Sequence, residues 1–243
     1  MNIALIGYGK MGKEIERLAP ERGMTVKKIF PTDREIGAIN RTSLRGIDVC
    51  IDFTSPAATL EIVTRVAGSG KNLVTGTTGW YDQLGRISAV VRKNKTGFLY
   101  SPNFSVGMNA FFRIVAGAAK ALEPFGEYDA AVHEIHHREK KDSPSGTALM
   151  LGRLLLNERK SKKELLTGHP DGAIEPSQLQ ITSQRLGRVV GVHSVTFDSG
   201  ADTIELIHRA KDRSGFALGA LVAAGWLSKK RGIFTMDNVL DTL

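Results

Sequence analysis

A single cysteine, Cys50, stands in 243 residues. A disulfide within the chain is therefore excluded, and a structural zinc site is not expected. Cys50 falls inside the apolar run Ile47 to Phe53, where it reads as a small buried core residue. No hydrophobic run approaches the roughly 20 residues that a membrane-spanning helix needs. Residues 1 to 30 hold a strand and a glycine turn rather than a signal peptide, so a cytoplasmic protein with no membrane partner is expected. Aromatic residues make up only 7% of the chain, and the short basic clusters Arg159 to Lys163 and Lys229 to Arg231 contain none. That argues against nucleic acid as a partner despite a formal net charge of +8. A positive field also attracts a small dianionic substrate or a nucleotide.

What is present suffices for a packed core: 42% of the residues are hydrophobic, enough for one large domain or two modest ones. Asn2 to Ile6 is a short apolar strand, followed by Gly7-Tyr8-Gly9-Lys10-Met11-Gly12 and a helical stretch, Lys13 to Leu18. This is the G-x-G-x-x-G arrangement with a strand before it and a helix after it. The first glycine allows the tight turn, the second lets backbone approach a pyrophosphate, and the third admits close helix packing. Lys10 and Met11 fall within the same cofactor-binding turn. A ligand-free βα turn is the plain alternative.

Val26 to Phe30 reads as the next strand and runs into Pro31-Thr32-Asp33-Arg34. Asp33 is placed to accept from a ribose hydroxyl and Arg34 to pair with a 2′-phosphate, so NADH and NADPH both stay open. Ile47 to Phe53 has the character of a buried parallel strand, with Thr54-Ser55-Pro56 supplying a cap and an N1 proline for a helix through about Val66. Asn72 to Thr75 is a further strand, ending in Gly76-Thr77-Thr78-Gly79. Both turns lie at the carboxyl ends of strands, the edge at which open α/β sheets bind ligands. A helix from Asp82 to Lys93 and a strand from Gly97 to Tyr100 lead to Ser101-Pro102-Asn103-Phe104, which on its own reads as an Asn turn with a core Phe, although Asn103 could also offer a donor and an acceptor to a carboxamide and Phe104 a ring to a nicotinamide.

The densest chemistry lies between a strand, Asp129 to Ile135, and a Leu-rich helix, Leu149 to Leu156. The intervening stretch from Glu134 to Ala148, EIHHREKKDSPSGTA, holds adjacent histidines, cations at Arg138, Lys140 and Lys141, and a Ser-Gly-Thr turn. Ser145, Gly146 and Thr147 put a hydroxyl and backbone N–H groups at a helix N-terminus, where a carboxylate or phosphate is favoured. For Ser145 alone an N-cap would explain the residue. His136 and His137, if extended, point to opposite sides and so serve different ends. Beyond this loop Gln178 to Ser183, Gly191 to Phe197 and Thr203 to His208 read as strands of an antiparallel or mixed sheet, and Phe216 to Leu227 as an apolar helix.

Glu134, His136, His137, Lys140, Asp142, Pro144, Ser145, Gly146, Thr147 and Ala148 closely resemble the signature of the 4-hydroxy-tetrahydrodipicolinate (dihydrodipicolinate) reductases of diaminopimelate and lysine biosynthesis. Gly76-Thr77-Thr78, the Pro-Asn-Phe-Ser-Val-Gly run from Pro102, and Arg185, Gly187, Gly191 and His193 in an R-x-G-x-x-x-G-x-H pattern extend the resemblance over most of the chain. It is weakest in residues 31 to 46, where the chain is shorter than many family members. The resemblance implies that His136 is the general acid, with Lys140 as its catalytic partner. It further implies that His137, Ser145, Gly146 and Thr147 hold the substrate carboxylates, and that Gly76, Thr77 and Thr78 lie near the nicotinamide half of the cofactor. Glu134 and Asp142 would position the histidines and the loop, and the R-x-G-x-x-x-G-x-H residues would be mainly structural or at the cleft rim.

The expected fold is α/β: a Rossmann dinucleotide-binding domain, residues 1–105 and 214–243, with an inserted α+β substrate and tetramerisation domain, residues 106–213, built on a mixed sheet. Closure about hinges near Ser105 and Ser214 is expected because the cofactor and substrate sites must meet, and a homotetramer is a further implication of the resemblance. The expected activity is nicotinamide-dependent reduction of a small dicarboxylate, without a metal. Two other readings stand beside it: a different two-domain Rossmann dehydrogenase of amino-acid metabolism, and a non-enzymatic nicotinamide-sensing protein.

Overall fold

The computed structural model describes residues 1–168, 170 and 172–242; Leu243, the last residue of the expected C-terminal return, lies outside them. The chain forms two units, Met1–Val106 with Arg213–Leu243, and Gly107–Asp212.

The first unit is a parallel sheet whose strands are apolar on both faces. Its elements in chain order are β1 (Asn2–Ile6), α1 (Lys10–Leu18), β2 (Thr25–Phe30), β3 (Val49–Asp52), α2 (Thr59–Gly68), β4 (Asn72–Thr75), α3 (Leu84–Asn94) and β5 (Gly97–Tyr100), and the return supplies α6 (Ser214–Leu227), β11 (Gly232–Phe234) and α7 (Met236–Leu240). The strand order is β11-β5-β4-β3-β1-β2, every pair parallel. Ile3 and Leu5 pack with Ile15 and Leu18 of α1 and Ala220 and Leu221 of α6, whereas Ala4 and Ile6 pack with Ile62, Val63 and Ile87 from α2 and α3. Covering both faces is what demands a continuous apolar strand. Each such aliphatic side chain contributes about 1.5–3 kcal/mol on burial. At the sheet edge β2 instead presents exposed Lys27 and Lys28, which discourages pairing with another chain. The chain leaves β1 for neighbours on both sides, so the ligand edge lies at the carboxyl ends of β1 and β3.

Local differences from the sequence expectation have physical causes. The helix expected from Ser55 starts as a 3₁₀ turn, Pro56–Ala58, before α2; the Ser55 hydroxyl makes no cap and donates to Oδ2 of Asp33 at 2.6 Å. Residues Asp33–Ala38 form another 3₁₀ turn, and the following loop buries Ile39, Leu44 and Ile47 against the α2 and α3 side. A few apolar anchors thus hold this short connection against the sheet.

The second unit contains α4 (Val106–Leu122, whose first residue belongs to the other unit), β6 (Asp129–His136), α5 (Gly146–Glu158), β7 (Glu164–Thr167), β8 (Gln178–Arg185), β9 (Gly191–Asp198) and β10 (Thr203–Ala210). Its sheet has the order β10-β9-β6-β8-β7, with β9 antiparallel to β10 and β6 and the remaining pairs parallel. Ala130, Val132, Leu179, Ile181, Val195 and Phe197 make one apolar face, covered by Phe111 and Val115 of α4 and Leu151 and Leu155 of α5. The alternation of β6 and β9 imposes this face.

Helix α6 lies so close to the chain before α4 that a Cβ on Gly219 would stand 1.7 Å from the Phe104 carbonyl oxygen, whereas one on the exposed Gly117 of α4 would meet nothing within 4 Å. Gly219→Ala is therefore expected to destabilise the protein by at least about 1–3 kcal/mol, and Gly117→Ala to stabilise it by about 0.5–1 kcal/mol. Urea midpoints of the two variants check this; equal shifts would contradict the close approach.

Candidate active site

The face of the second sheet that is apolar at one end is polar at the other. Going along β6 past Ala130 and Val132, the same side presents Glu134 and His136, while cross-strand pairing brings Ser183 and Arg185 from β8 and His193 from β9 alongside. Helix α5 covers the apolar end, and its N-cap, Ser145, meets the polar end: the Ser145 N–H donates to Oε1 of Glu134 at 3.2 Å.

Glu134 is the centre of this cluster and has no exposed surface. Arg185 donates from both terminal nitrogens to the two carboxylate oxygens, at 3.0 and 2.9 Å, and a third short contact joins Oε2 to Nδ1 of His136. Burial pushes the Glu134 pKa up, but the hydrogen bonds from Arg185 and His136 outweigh it and hold the carboxyl below its ordinary range. An ionised carboxylate only accepts, so Nδ1 of His136 carries the hydrogen and Nε2 is the basic nitrogen. Burial, assisted by the charges of Lys140 and Arg185, lowers the His136 pKa against the opposing pull of Glu134. His136 is 8% exposed, and a Cβ on Gly191 would stand 3.0 Å from its Nε2, so glycine preserves the space there. The His193 ring lies edge-on to His136 at 5.1 Å, with its own Nε2 3.2 Å from the Ser145 hydroxyl.

The other expected substrate residues surround this cluster. Leu186 N–H donates to the His136 carbonyl at 2.8 Å and Lys140 N–H to the His137 carbonyl at 3.1 Å, so the chain turns sharply at the end of β6. His137 and Lys140 are half-buried there. Lys140 Nζ donates to Asp142 at 2.7 Å. Burial raises the Asp142 pKa, but the Lys140 hydrogen bond, backbone donors and the Lys140 charge together lower it. Lys140 therefore already holds a carboxylate in the loop just before the α5 N-terminus. Ser145 is buried at the helix start: its N–H serves Glu134, and its hydroxyl accepts from Ala148 N–H and meets His193. Gly146, exposed, and Thr147, half-buried, follow it in the first turn of α5.

In the first unit the glycine turn has the features of a dinucleotide cradle. Gly7 has φ +87°, and a Cβ there would stand 2.4 Å from the Phe53 carbonyl oxygen; one on Gly12 would stand 2.4 Å from the Gly7 carbonyl oxygen. A Cβ on Gly9 meets nothing within 4 Å, so that side of the turn is open. Gly9 caps α1 without a side-chain hydrogen bond, and no acid stands in the first turn, so the N–H groups of Lys10, Met11 and Gly12 face an open, positive helix end. A nicotinamide dinucleotide fits these residues through its pyrophosphate. Asp33 and Arg34 are both exposed just beyond β2, with Asp33 held by Ser55.

Two cofactor-side expectations change. Phe104 is 2% exposed and packs edge-on to Phe53 at 6.0 Å within the core, so its ring has no face to offer a nicotinamide. The Thr77 hydroxyl is directed inward, donating to the buried Asp52 at 3.1 Å and accepting from Thr54 N–H at 2.9 Å. Asp52 also takes the hydroxyls of Thr54 and Thr75, and its burial pushes its pKa up against those hydrogen bonds. Gly76 is needed because a Cβ there would overlap the Phe53 ring, and Thr78 is exposed. Ser101 and Asn103 are buried, bonded to one another and to the Ser105 N–H, while Pro102 is exposed.

The residues whose part was least visible in the sequence are Arg185, Gly191 and His193, which line the His136 cluster rather than a rim. The cross-strand offsets from Glu134 and His136 supply the connection, and these need the sheet register.

Comparison with known proteins agrees with both units. The chain matches the family model for the dihydrodipicolinate reductase N-terminus over residues 1–104 and that for the C-terminus over residues 107–240. It is 40% identical over 243 residues to a 4-hydroxy-tetrahydrodipicolinate reductase of Christiangramia forsetii, covering 100% of this chain and 99% of the relative. It is 38% identical over 240 residues to one from Methanosarcina acetivorans, covering 98% and 88% respectively. Among solved structures, a dipicolinate-bound dihydrodipicolinate reductase from a Paenisporosarcina species shares the fold with a TM-score of 0.78, at 24% identity and 98% coverage of both chains.

Burial, with the neighbouring His136 charge adding to it, lowers the His193 pKa to about 4. Because this folded value lies below the ordinary value of about 6.5, the stability contribution is complete above that pH and is lost as pH falls toward about 4. The full effect is at most about 3 kcal/mol. Urea unfolding of His193→Gln against the wild type is expected to show a flatter pH dependence across that window; parallel curves would contradict it.

Proposed function

The chain belongs to the dihydrodipicolinate reductase family, and on that premise we propose that it reduces 4-hydroxy-tetrahydrodipicolinate, with loss of its hydroxyl as water, or the already dehydrated form, to tetrahydrodipicolinate. The observation that carries this reading is the polar end of the second sheet. There an imidazole anchored on a buried carboxylate stands in the same short segment as a lysine that holds a carboxylate and a helix N-terminus.

Reduced nicotinamide, when bound, supplies a hydride to the substrate's double bond. The accompanying proton is the protein's task. His136 passes it on through Nε2 as general acid, taking it up there in each turnover, and the Lys140 ammonium balances negative charge developing on the substrate or donates to its nitrogen. His137 contacts one substrate carboxylate, while the Gly146 and Thr147 donors take the other. Holding both carboxylates fixes the ring for reaction, and orientation is a large part of catalysis. On the cofactor side Gly7, Gly9, Lys10, Met11 and Gly12 receive the pyrophosphate, and Gly76, Thr78 and the Ser101-to-Asn103 turn flank the nicotinamide half. Asp33 supplies an acceptor for a ribose hydroxyl and Arg34 a cation for a 2′-phosphate, so both NADH and NADPH are accepted.

This reading also includes self-association. The second sheet face that α4 and α5 do not cover carries Ala131, His133, Thr182, Ser194, Thr196 and Ile207, all exposed or half-buried in the single chain, with Ile207 at 44%. A homotetramer would cover it, and sedimentation equilibrium of the wild type against Ile207→Lys tests the assignment. A tetrameric wild type and a weakened variant are expected; a monomeric wild type would remove the assignment.

Supplying substrate in situ from pyruvate and aspartate semialdehyde with the preceding synthase, nicotinamide oxidation should require both proteins and proceed with either cofactor. No oxidation, with a working synthase and demonstrated cofactor binding, would overturn the reading; a preference above about a hundredfold would overturn dual cofactor use alone. His136→Ala and Lys140→Ala should each lower kcat by about 10²- to 10⁴-fold with little change in cofactor affinity. An unchanged kcat would remove that residue from the mechanism.

A further inference from the structure

The R-x-G-x-x-x-G-x-H segment is built around the Glu134–His136 pair. Arg185 grips both Glu134 oxygens, and its Nη2 also donates to the Asp142 carbonyl at 2.6 Å, tying the carboxylate to the catalytic loop. The Gly187 carbonyl accepts from Arg138 N–H at 3.3 Å on the same loop. Gly191 preserves the space beside Nε2, and the His193 ring stands edge-on to His136.

We propose that Arg185 is a positioning residue that sets the proton state of His136 through Glu134. By neutralising the carboxylate, the guanidinium leaves it able to accept from Nδ1 without fixing a second proton on the imidazole. The resting ring is then the neutral Nδ1–H tautomer, and Nε2 is the port through which a proton arrives and leaves in each turnover. This deepens the reductase reading and rests on it.

The groups facing His136 come from every neighbouring element. Glu134 stands on its own strand, Arg185 on β8, His193 on β9 with His208 paired beyond it on β10, and Lys140 and Asp142 in the loop; the α5 N-terminus enters through Ser145. Among the influences on His136, burial and the Lys140 and Arg185 charges favour the neutral ring, while Glu134 favours the charged one. Arg185 both repels a charged imidazole and cancels the carboxylate that would stabilise it.

The test is nuclear magnetic resonance of the full chain with nitrogen-15 histidine, the His136 signals being identified by their loss in His136→Asn. Near neutral pH the wild type should show Nδ1 protonated and Nε2 unprotonated. In Arg185→Gln the apparent titration of the Glu134–His136 pair should move upward, together with the corresponding limb of the kcat–pH profile. The loss in kcat should stay within the roughly 10²- to 10⁴-fold that general acid catalysis contributes. Arg185→Lys, which keeps the charge but not the fork, should titrate near the wild type while losing part of kcat.

A proton on Nε2 of the neutral wild-type ring would overturn the proposal, and that measurement stands even if Arg185→Gln does not fold. So would an Arg185→Gln protein whose kcat falls while the titration stays put, since that is the result of a purely structural role. A wild type with the expected tautomer but no turnover would remove the reductase reading and leave the proton assignment intact.

Discussion

A carboxylate without any contact with water sits at the junction of three strands and a helix N-terminus, and the arrangement of the second unit follows from satisfying it. Burying an ionised carboxylate costs several kcal/mol unless its oxygens are fully engaged. Glu134 meets that demand with the Arg185 fork, the His136 Nδ1–H and the Ser145 backbone N–H. Each partner arrives from a different place in the chain: β8, the end of β6, and the start of α5. Removing one partner of such a group typically costs about 3–5 kcal/mol because the remaining charge is stranded. The same contacts that make the burial tolerable fix the imidazole's tautomer and place the α5 N-terminus beside it.

This explains why one sheet face serves both stability and chemistry. Leu151 and Leu155 of α5 and Val132, Ile181 and Val195 of the sheet fill the apolar end, which holds the helix axis in place. One end of that helix then projects its free N–H groups over the polar end. Lys140 already holds a carboxylate there, that of Asp142, so the site's preference for anions is built into the protein's own contacts. In the first unit an analogous economy operates at the glycine turn, where Gly7 and Gly12 are required by internal backbone contacts and Gly9 alone opens outward.

Much of this was legible in the sequence because the signals are local. G-x-G-x-x-G between a strand and a helix, the two adjacent histidines, and Ser-Gly-Thr at a helix start each declare a geometry within a few residues. Both sheets follow from strand patterns of continuous and alternating hydrophobicity. What was not legible depends on pairing across the sheet. Arg185 lies 51 residues from Glu134 in sequence, and its role emerges only when β6 and β8 are set in register. Burial was equally hidden for Phe104, Thr77 and Ser145, whose polar atoms or ring faces look available in a motif and are consumed by the core or by internal hydrogen bonds. Strands β7 and β11 lie at the sheet edges with no fully buried residue, so they lack the apolar run by which the comparably short β4 and β5 stand out.

The most direct test of the account is Glu134→Gln, which preserves size and removes the charge, assayed for turnover and for nicotinamide affinity in the same preparation. A folded protein with unchanged cofactor affinity and a kcat reduced by about 10²-fold or more is the result the account requires. A kcat within about twofold of the wild type would contradict it, because the imidazole would then need no buried carboxylate to do its work.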